Sequence, residues 1–241
     1  MSNSYFQFKQ FTVNQEKSAM KVCTDACVFG AYISLKEKDF ADDKTNILDI
    51  GTGTGLLSLM IAQKVKGSIE AVEIDNTAFE QARENFIKSA WSARLTVSHA
   101  DVTKFAFQKK YDIIVSNPPF FEKSLKSSDY QKNLAKHATF LSYAELASVV
   151  LGNLANKGKF YVLLPYKKFD LFQKTAIGNK LYLLQKVNIR QSEHAGYFRT
   201  AGIFSNVTEQ SAIEESITIK DQMNSYTEDF IQLLKDYYLY L

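Results

Sequence analysis

The chain of 241 residues is 46% hydrophobic and 23% charged, a globular balance with enough length to bury a core without disulfides or a structural metal. No apolar run approaches the ~18–20 residues of a membrane span, and the opening MSNSYFQFKQ lacks a secretion signal's apolar stretch, so a cytoplasmic location is expected. The net charge of +3 is uneven: residues 205–241 hold two lysines against seven acids, which leaves +8 on the other 204 residues, a pointer to a polyanionic partner that a solvated lysine surface explains equally well.

In chain order, Tyr5–Val13 alternates as a hairpin or ribbon does, and Thr24–Leu35 reads as a helix capped by Thr24 or Asp25. Short Val/Ile-rich runs follow as strands at Asn46–Ile50, Ile69–Asp75, Arg94–Ser98, Tyr111–Ser116 and Lys159–Leu164. Between them, Leu56–Lys66, Thr77–Ala90 and Ser142–Asn156 carry apolar residues at helical spacing. Strands alternating with helices imply crossover connections and a parallel sheet, covered on both faces because the early strands are almost continuously apolar. After Pro165 the pattern changes to a helix at Tyr166–Ile177 and strands at Leu181–Arg190, Ala201–Val207 and Ser216–Lys220, expected to complete one edge in antiparallel fashion. Tyr226–Leu239 closes as an amphipathic helix with Thr227 as its cap. The expectation is one domain over residues 1–241, with 1–35 as a hairpin-and-helix extension and 45–241 as the core.

Metal chemistry is not expected. Cys23 and Cys27 stand four apart with no further cysteine to complete a thiolate site, and His99, His137 and His194 are scattered. The informative segment is Asp49-Ile50-Gly51-Thr52-Gly53-Thr54-Gly55, where a strand passes directly into a helix. Glycines there admit close approach of a ligand to the backbone. A dinucleotide fingerprint would need a glycine at position 56, which is Leu56, and no phosphate-loop lysine is present. Glu73 ends the second strand 22 positions after Gly51, where a doubly wound fold places an acid on ribose hydroxyls. Asp101 follows the third strand, placed to accept from an exocyclic amine. Solvated loop acids and a simple tight turn remain the plain alternatives. The fourth strand runs into Asn117-Pro118-Pro119-Phe120, and the residue before a proline is held extended, which projects the Asn117 amide beyond the strand end.

Taken together, Asp49 to Gly55, Glu73, Asp101 and the Asn-Pro-Pro-Phe run resemble the S-adenosylmethionine-dependent methyltransferases that modify planar amino nitrogens. Met20-Lys21-Val22, Thr24-Asp25, Gly30-Ala31, the Phe11-Thr12-Val13 approach and the closing Glu228-to-Leu239 pattern further resemble the bacterial tRNA1(Val) adenine-37 N6-methyltransferases, with Cys23 standing where a glycine is usual. That resemblance implies a Rossmann-like α/β fold with a mostly parallel seven-stranded sheet, helices on both faces and antiparallel C-terminal strands. It implies S-adenosylmethionine held by Lys21, Thr24, Asp49, Gly51, Gly53, Gly55, Glu73, Asp101, Val102 and Asn117. The catalytic set it implies is Asn117, Pro118, Pro119 and Phe120. Asn117 Oδ1 and the Pro118 carbonyl would accept the amine hydrogens, and Phe120 would stack on the base.

The implied partner is tRNA, with no membrane, no metal and a monomeric state expected. Lys123, Lys126, Lys132 and Lys136, and on later strands Arg190 and Arg199, are the candidate phosphate ligands, although segment 121–140 reads equally as a solvated loop. Two rival readings stand: N5-methylation of a protein glutamine by the same chemistry, and a non-catalytic RNA-binding protein on this scaffold. A DNA methyltransferase would need a recognition domain for which 241 residues leave little room, and the glycine spacing disfavours hydride transfer.

Overall fold

Strand β3 (Asn46–Ile50) is apolar along almost its whole length because it lies at the interior of an eight-stranded sheet in the order β10-β8-β9-β7-β6-β3-β4-β5. The structure, a computed structural model, describes residues 3–17, 20–118, 141–208 and 211–241. The other strands are β4 (Ser68–Glu73), β5 (Leu95–His99), β6 (Tyr111–Ser116), β7 (Leu154–Pro165), β8 (Tyr182–Ser192), β9 (Tyr197–Ser205) and β10 (Ile213–Lys220). A two-stranded antiparallel ribbon, β1 (Tyr5–Gln7) and β2 (Thr12–Asn14), lies apart from the sheet. The helices are α1 (Thr24–Glu37), α2 (Leu56–Lys64), α3 (Asn76–Lys88), α4 (Tyr143–Asn153), α5 (Tyr166–Gly178) and α6 (Glu228–Leu234).

Strands β3, β4, β5, β6 and β7 run parallel to one another, joined by crossovers that carry α2, α3 and α4 and by a helix-free one between β5 and β6. All five therefore end at one edge, where ligands bind in open α/β sheets. The C-terminal strands follow the expected pattern in part. β9 is antiparallel to both β7 and β8, whereas β10 pairs in parallel with β8. The sheet thus has eight strands rather than seven. The reason is steric parity: both flanks of β9 are occupied, so the strand that follows it can join only at the free side of β8, running the same way.

Alternation along β7 shows why both faces are closed. Phe160, Val162 and Leu164 point into a core shared with Leu146, Ala147 and Val150 of α4 and Phe169 and Phe172 of α5. Tyr161 and Leu163 point into the opposite core, which holds α1, α2, the ribbon residues Phe8, Phe11 and Val13, and Phe230 and Leu234 of α6. Gly30 lets α1 approach α2 closely, since a Cβ there would stand 2.9 Å from Met60 Sδ. Glu37, buried at the end of α1, accepts from Tyr161 Oη and, at 2.9 Å, from Lys159 Nζ; a buried carboxylate is tolerable only when paired in this way.

Two local expectations are corrected. Helix α1 is preceded by Cys23 as its cap residue with no side-chain cap, because Asp25 is already inside the first turn and pairs with Arg199 at 2.7 Å. Helix α6 stops at Leu234 instead of continuing to Leu239, since the chain leaves the helix to bridge Phe8 through Tyr238 and to accept from Lys9 N at Tyr237 O, 2.8 Å away. Thr227 does cap α6, accepting from Phe230 N. Among the described residues no helix is long and apolar enough to cross a membrane.

Candidate active site

The end of β3 turns into α2 through three glycines with positive φ: Gly51 at 71°, Gly53 at 60° and Gly55 at 83°. They serve different purposes. Among the described residues, a Cβ on Gly51 or Gly53 would meet nothing within 4 Å, whereas a Cβ on Gly55 would stand 2.5 Å from the Phe86 ring of α3. The first two leave room for a ligand, and the third lets α3 pack against the start of α2.

Asp49, fully buried, braces this loop from below. Thr52 Oγ1 and Ser58 Oγ each donate to its Oδ2 at 2.6 Å, while Oδ1 has no hydrogen-bond partner among the described residues. Burial pushes its carboxyl up to about 6, against the opposing pull of the Ser58 and Thr52 hydrogen bonds. Glu73, at the end of β4, clamps the loop from the side. Gly53 N donates to Glu73 Oε2 at 2.8 Å and Asp75 N donates to Oε1 at 2.9 Å. Asp75 in turn caps α3. Asn85 of α3 supports the loop from behind, its Nδ2 donating to the carbonyls of Thr54 and Asn14 at 2.9 Å each.

Asp101 lies just beyond β5. It accepts from Thr103 N at 2.9 Å and Thr103 Oγ1 at 2.7 Å and pairs with Lys104 at 3.0 Å, contacts that hold its carboxyl below the usual range. Val102, half-buried, packs against the core on the α4–α5 side. Asn117 and the buried Pro118 leave β6 next to the glycine loop. The register pairs Ile50 with Ser116, and Ser116 Oγ donates to the Ile50 carbonyl at 2.9 Å. Gly51 and Asn117 therefore leave neighbouring strands side by side.

The structure thus brings together Asp49, Gly51, Gly53, Gly55, Glu73, Asp101, Val102, Asn117 and Pro118 at one sheet edge. Lys21 donates instead to the Gln15 carbonyl, and Thr24 is the first residue of α1. Arg190 and Arg199 stand at the same edge on the far strands, Arg199 in its ion pair with Asp25. Pro119, Phe120, Lys123, Lys126, Lys132 and Lys136 lie outside the described residues. Sequence reading missed Ser58, Asn85 and the Asp25–Arg199 pair. A serine inside the apolar run Leu56–Ala62 is a readable signal of a buried polar contact, whereas Asn85 and Arg199 carry none without the tertiary fold.

Both cysteines behave as small hydrophobes: burial pushes the Cys23 and Cys27 thiols up to about 12. Among the described residues no group of three or more His, Cys, Asp or Glu side chains is placed to hold a metal ion.

Comparison with known proteins agrees with this geometry. The family model described as the methyltransferase small domain matches residues 22–150. The tRNA1(Val) (adenine(37)-N6)-methyltransferase of Cytophaga hutchinsonii is 40% identical with full coverage of both chains, and that of Bacteroides fragilis is 39% identical over 99% of each. Among solved structures, a predicted O-methyltransferase from Agrobacterium tumefaciens superposes with a TM-score of 0.65 over 88% of this chain and 96% of that one; at 17% identity the likeness is one of fold. The chain belongs to the family of the tRNA1(Val) (adenine(37)-N6)-methyltransferases.

Proposed function

We propose that this protein methylates N6 of an adenine in tRNA, adenine 37 of tRNA1(Val), with S-adenosylmethionine as methyl donor. The observation that carries the reading is the β3–β6 register, which sets an open glycine loop beside Asn117-Pro118. The residues present fit the donor. Among the described residues nothing stands within 4 Å of a Cβ on Gly51 or Gly53, and Asp49 Oδ1 is a buried acceptor with no donor, a group that an ammonium or an ordered water satisfies. Glu73 uses its oxygens on two backbone N–H groups and retains lone pairs for ribose hydroxyls. S-adenosylmethionine, when bound, supplies an electrophilic methyl group on a sulfonium.

The protein's own part is orientation and hydrogen bonding. An exocyclic adenine amine is a weak nucleophile because its lone pair is delocalised into the ring. Pro118 keeps Asn117 extended, so the Asn117 carboxamide oxygen and the Pro118 carbonyl are two acceptors for the two amine hydrogens. As the nitrogen gains positive charge these acceptors bind it more strongly, a stabilisation specific to the transition state. Fixing the base against the donor is worth up to ~7–11 kcal/mol in favourable cases. Neither a prior deprotonation nor a metal is required by this scheme. A target in a single-stranded loop leaves its stack at smaller cost than one in a duplex, and the +8 carried outside residues 205–241 suits a phosphate backbone.

The test is methylation of total tRNA followed by nucleoside analysis. N6-methyladenosine confined to tRNA is the expected product. Faster methylation of a glutamine-bearing peptide would transfer the assignment to the protein-modifying rival, and no transfer to either substrate would leave only a binding role.

A further inference from the structure

Away from the glycine loop, the same sheet edge carries an arrangement that the chemistry of methyl transfer does not use. Tyr166 is the first residue after β7, Tyr197 opens β9, and Arg190 near the end of β8 is paired in register with Tyr197. The two tyrosine rings stand 5.4 Å apart at 40°, with Tyr166 39% exposed and Tyr197 half-buried. The Arg190 guanidinium lies 5.8 Å from the Tyr197 ring, and the Lys186 ammonium lies 5.9 Å from the Tyr166 ring.

The two cations differ. Lys186 is flanked by Asp170 at 4.0 Å and Glu214 at 3.9 Å, so its charge is locally offset. Arg190 is held by neutral acceptors: Nε donates to Thr218 Oγ1 at 2.8 Å and Nη1 to the Glu193 carbonyl at 3.0 Å. Its position is therefore fixed and, among the described residues, no carboxylate pairs with it, so its charge is left for an external anion. A partly exposed tyrosine pair contributes less to folding than a buried one would, yet such rings accept the flat face of any nucleobase.

Register gives the distance to the reacting end. Asn117 is level with Leu163 of β7, which pairs with Ala201, and Tyr197 lies four residues further out on β9. Two strand spacings and four residues of rise separate them by ~16 Å. That is too far for the target base and within reach of a nucleotide a few positions along the same strand.

We propose that Tyr166 and Tyr197 form a stacking platform for a base flanking the target adenine in single-stranded RNA, with Arg190 facing the adjoining phosphate. This rests on the RNA reading above. The platform fixes which stretch of loop is presented, so it bears on substrate choice rather than on the transfer step.

The experiment measures dissociation constants for a stem-loop RNA carrying the target adenine in its loop, and for versions with an abasic site at each flanking loop position in turn. For the intact RNA, the Tyr166→Ala/Tyr197→Ala variant is expected to bind roughly 5- to 150-fold more weakly, the range of one base–aromatic stack. Wild type should lose a similar factor with one of the abasic RNAs, and the variant should lose nothing further with that RNA. Tyr166→Phe/Tyr197→Phe keeps the rings and should restore binding, and unchanged S-adenosylmethionine affinity in both variants checks the fold. Intact-RNA binding by the alanine variant at wild-type strength would overturn the platform, as would losses that multiply independently at every abasic position. If wild type fails to bind RNA at all, the substrate reading falls first and the platform with it.

Discussion

The contrast between Gly53 and Gly55 separates ligand space from packing within a single loop. Both residues have positive φ, so alanine at either position strains the backbone by ~1–2 kcal/mol. At Gly53 nothing else is added, because the new methyl meets no atom of the described residues within 4 Å. At Gly55 the methyl would stand 2.5 Å from the buried Phe86 ring, and overpacking of this kind adds ~1–3 kcal/mol. For a chain of this size the melting temperature falls about 2–4 °C per kcal/mol, so Gly53→Ala should lose roughly 2–8 °C and Gly55→Ala roughly 4–20 °C. Calorimetry should rank them the other way for the methyl donor, with Gly53→Ala losing most of its affinity because the methyl enters the space the ligand needs. Phe86→Leu should recover part of the stability lost in Gly55→Ala and none of the affinity lost in Gly53→Ala. Equal melting temperatures for the two variants, or full donor affinity in Gly53→Ala, would refute the division of roles.

Asn117, Asp49 and Asn85 each carry a further expected outcome. Asn117→Ala should lower turnover by on the order of 10²-fold or more while donor affinity, measured by calorimetry, stays close to wild type; turnover within a factor of two would remove the amide from the transition state. Asp49, with its carboxyl raised to about 6, favours the protonated form in the folded protein, so its contribution to stability is present below its unfolded value and is lost as pH rises through about 6. Ligand-free Asp49→Asn should therefore be more stable than wild type at pH 8, by up to about 3 kcal/mol, with the gap closing near pH 4, and denaturant melts at the two pH values check the sign. Donor affinity of wild type should fall as pH drops below 6, and Asp49→Asn should show no such dependence. Asn85→Ala strands the Thr54 and Asn14 groups it now joins, at ~1–3 kcal/mol for each buried group left unsatisfied, and should weaken donor binding without touching the ligand; unchanged affinity would show that the loop holds its shape without α3.

Much of the backbone around the candidate site was legible because its signals are local. Asn46–Ile50 and Tyr111–Ser116 have the strand boundaries read from their apolar runs, and the glycine spacing and the Asn117-Pro118 step act through φ and ψ of adjacent residues. What escaped reading depends on distant partners. The reversal of β10 from antiparallel to parallel follows from the occupancy of both flanks of β9, a fact about sheet order with no trace in Ile213–Lys220 itself. The early end of α6 reflects the pull of the ribbon on Tyr237 and Tyr238, against a helical spacing that continues past Leu234. The distance of Glu73 from Gly51 points to a ribose ligand; the contact the structure gives it, to Gly53 N just past the end of the neighbouring strand, depends on the β3–β4 register.

That ribbon has a bearing on how the enzyme is made. Phe8 and Lys9 meet Tyr238 and Tyr237, almost the full length of the chain away, and β2 is tied through Asn14 to Asn85, the residue that steadies the glycine loop. During synthesis strands β3 to β7 emerge long before the segment around Tyr237 that anchors the ribbon. Contacts of such sequence separation form late, after the loop entropy between them has been overcome. A nascent chain can therefore hold much of its hydrophobic core while its glycine loop is still slack. A settled glycine loop would then arrive with the docking of Tyr237 and Tyr238 on the ribbon, as a step in vectorial folding separate from the collapse that precedes it.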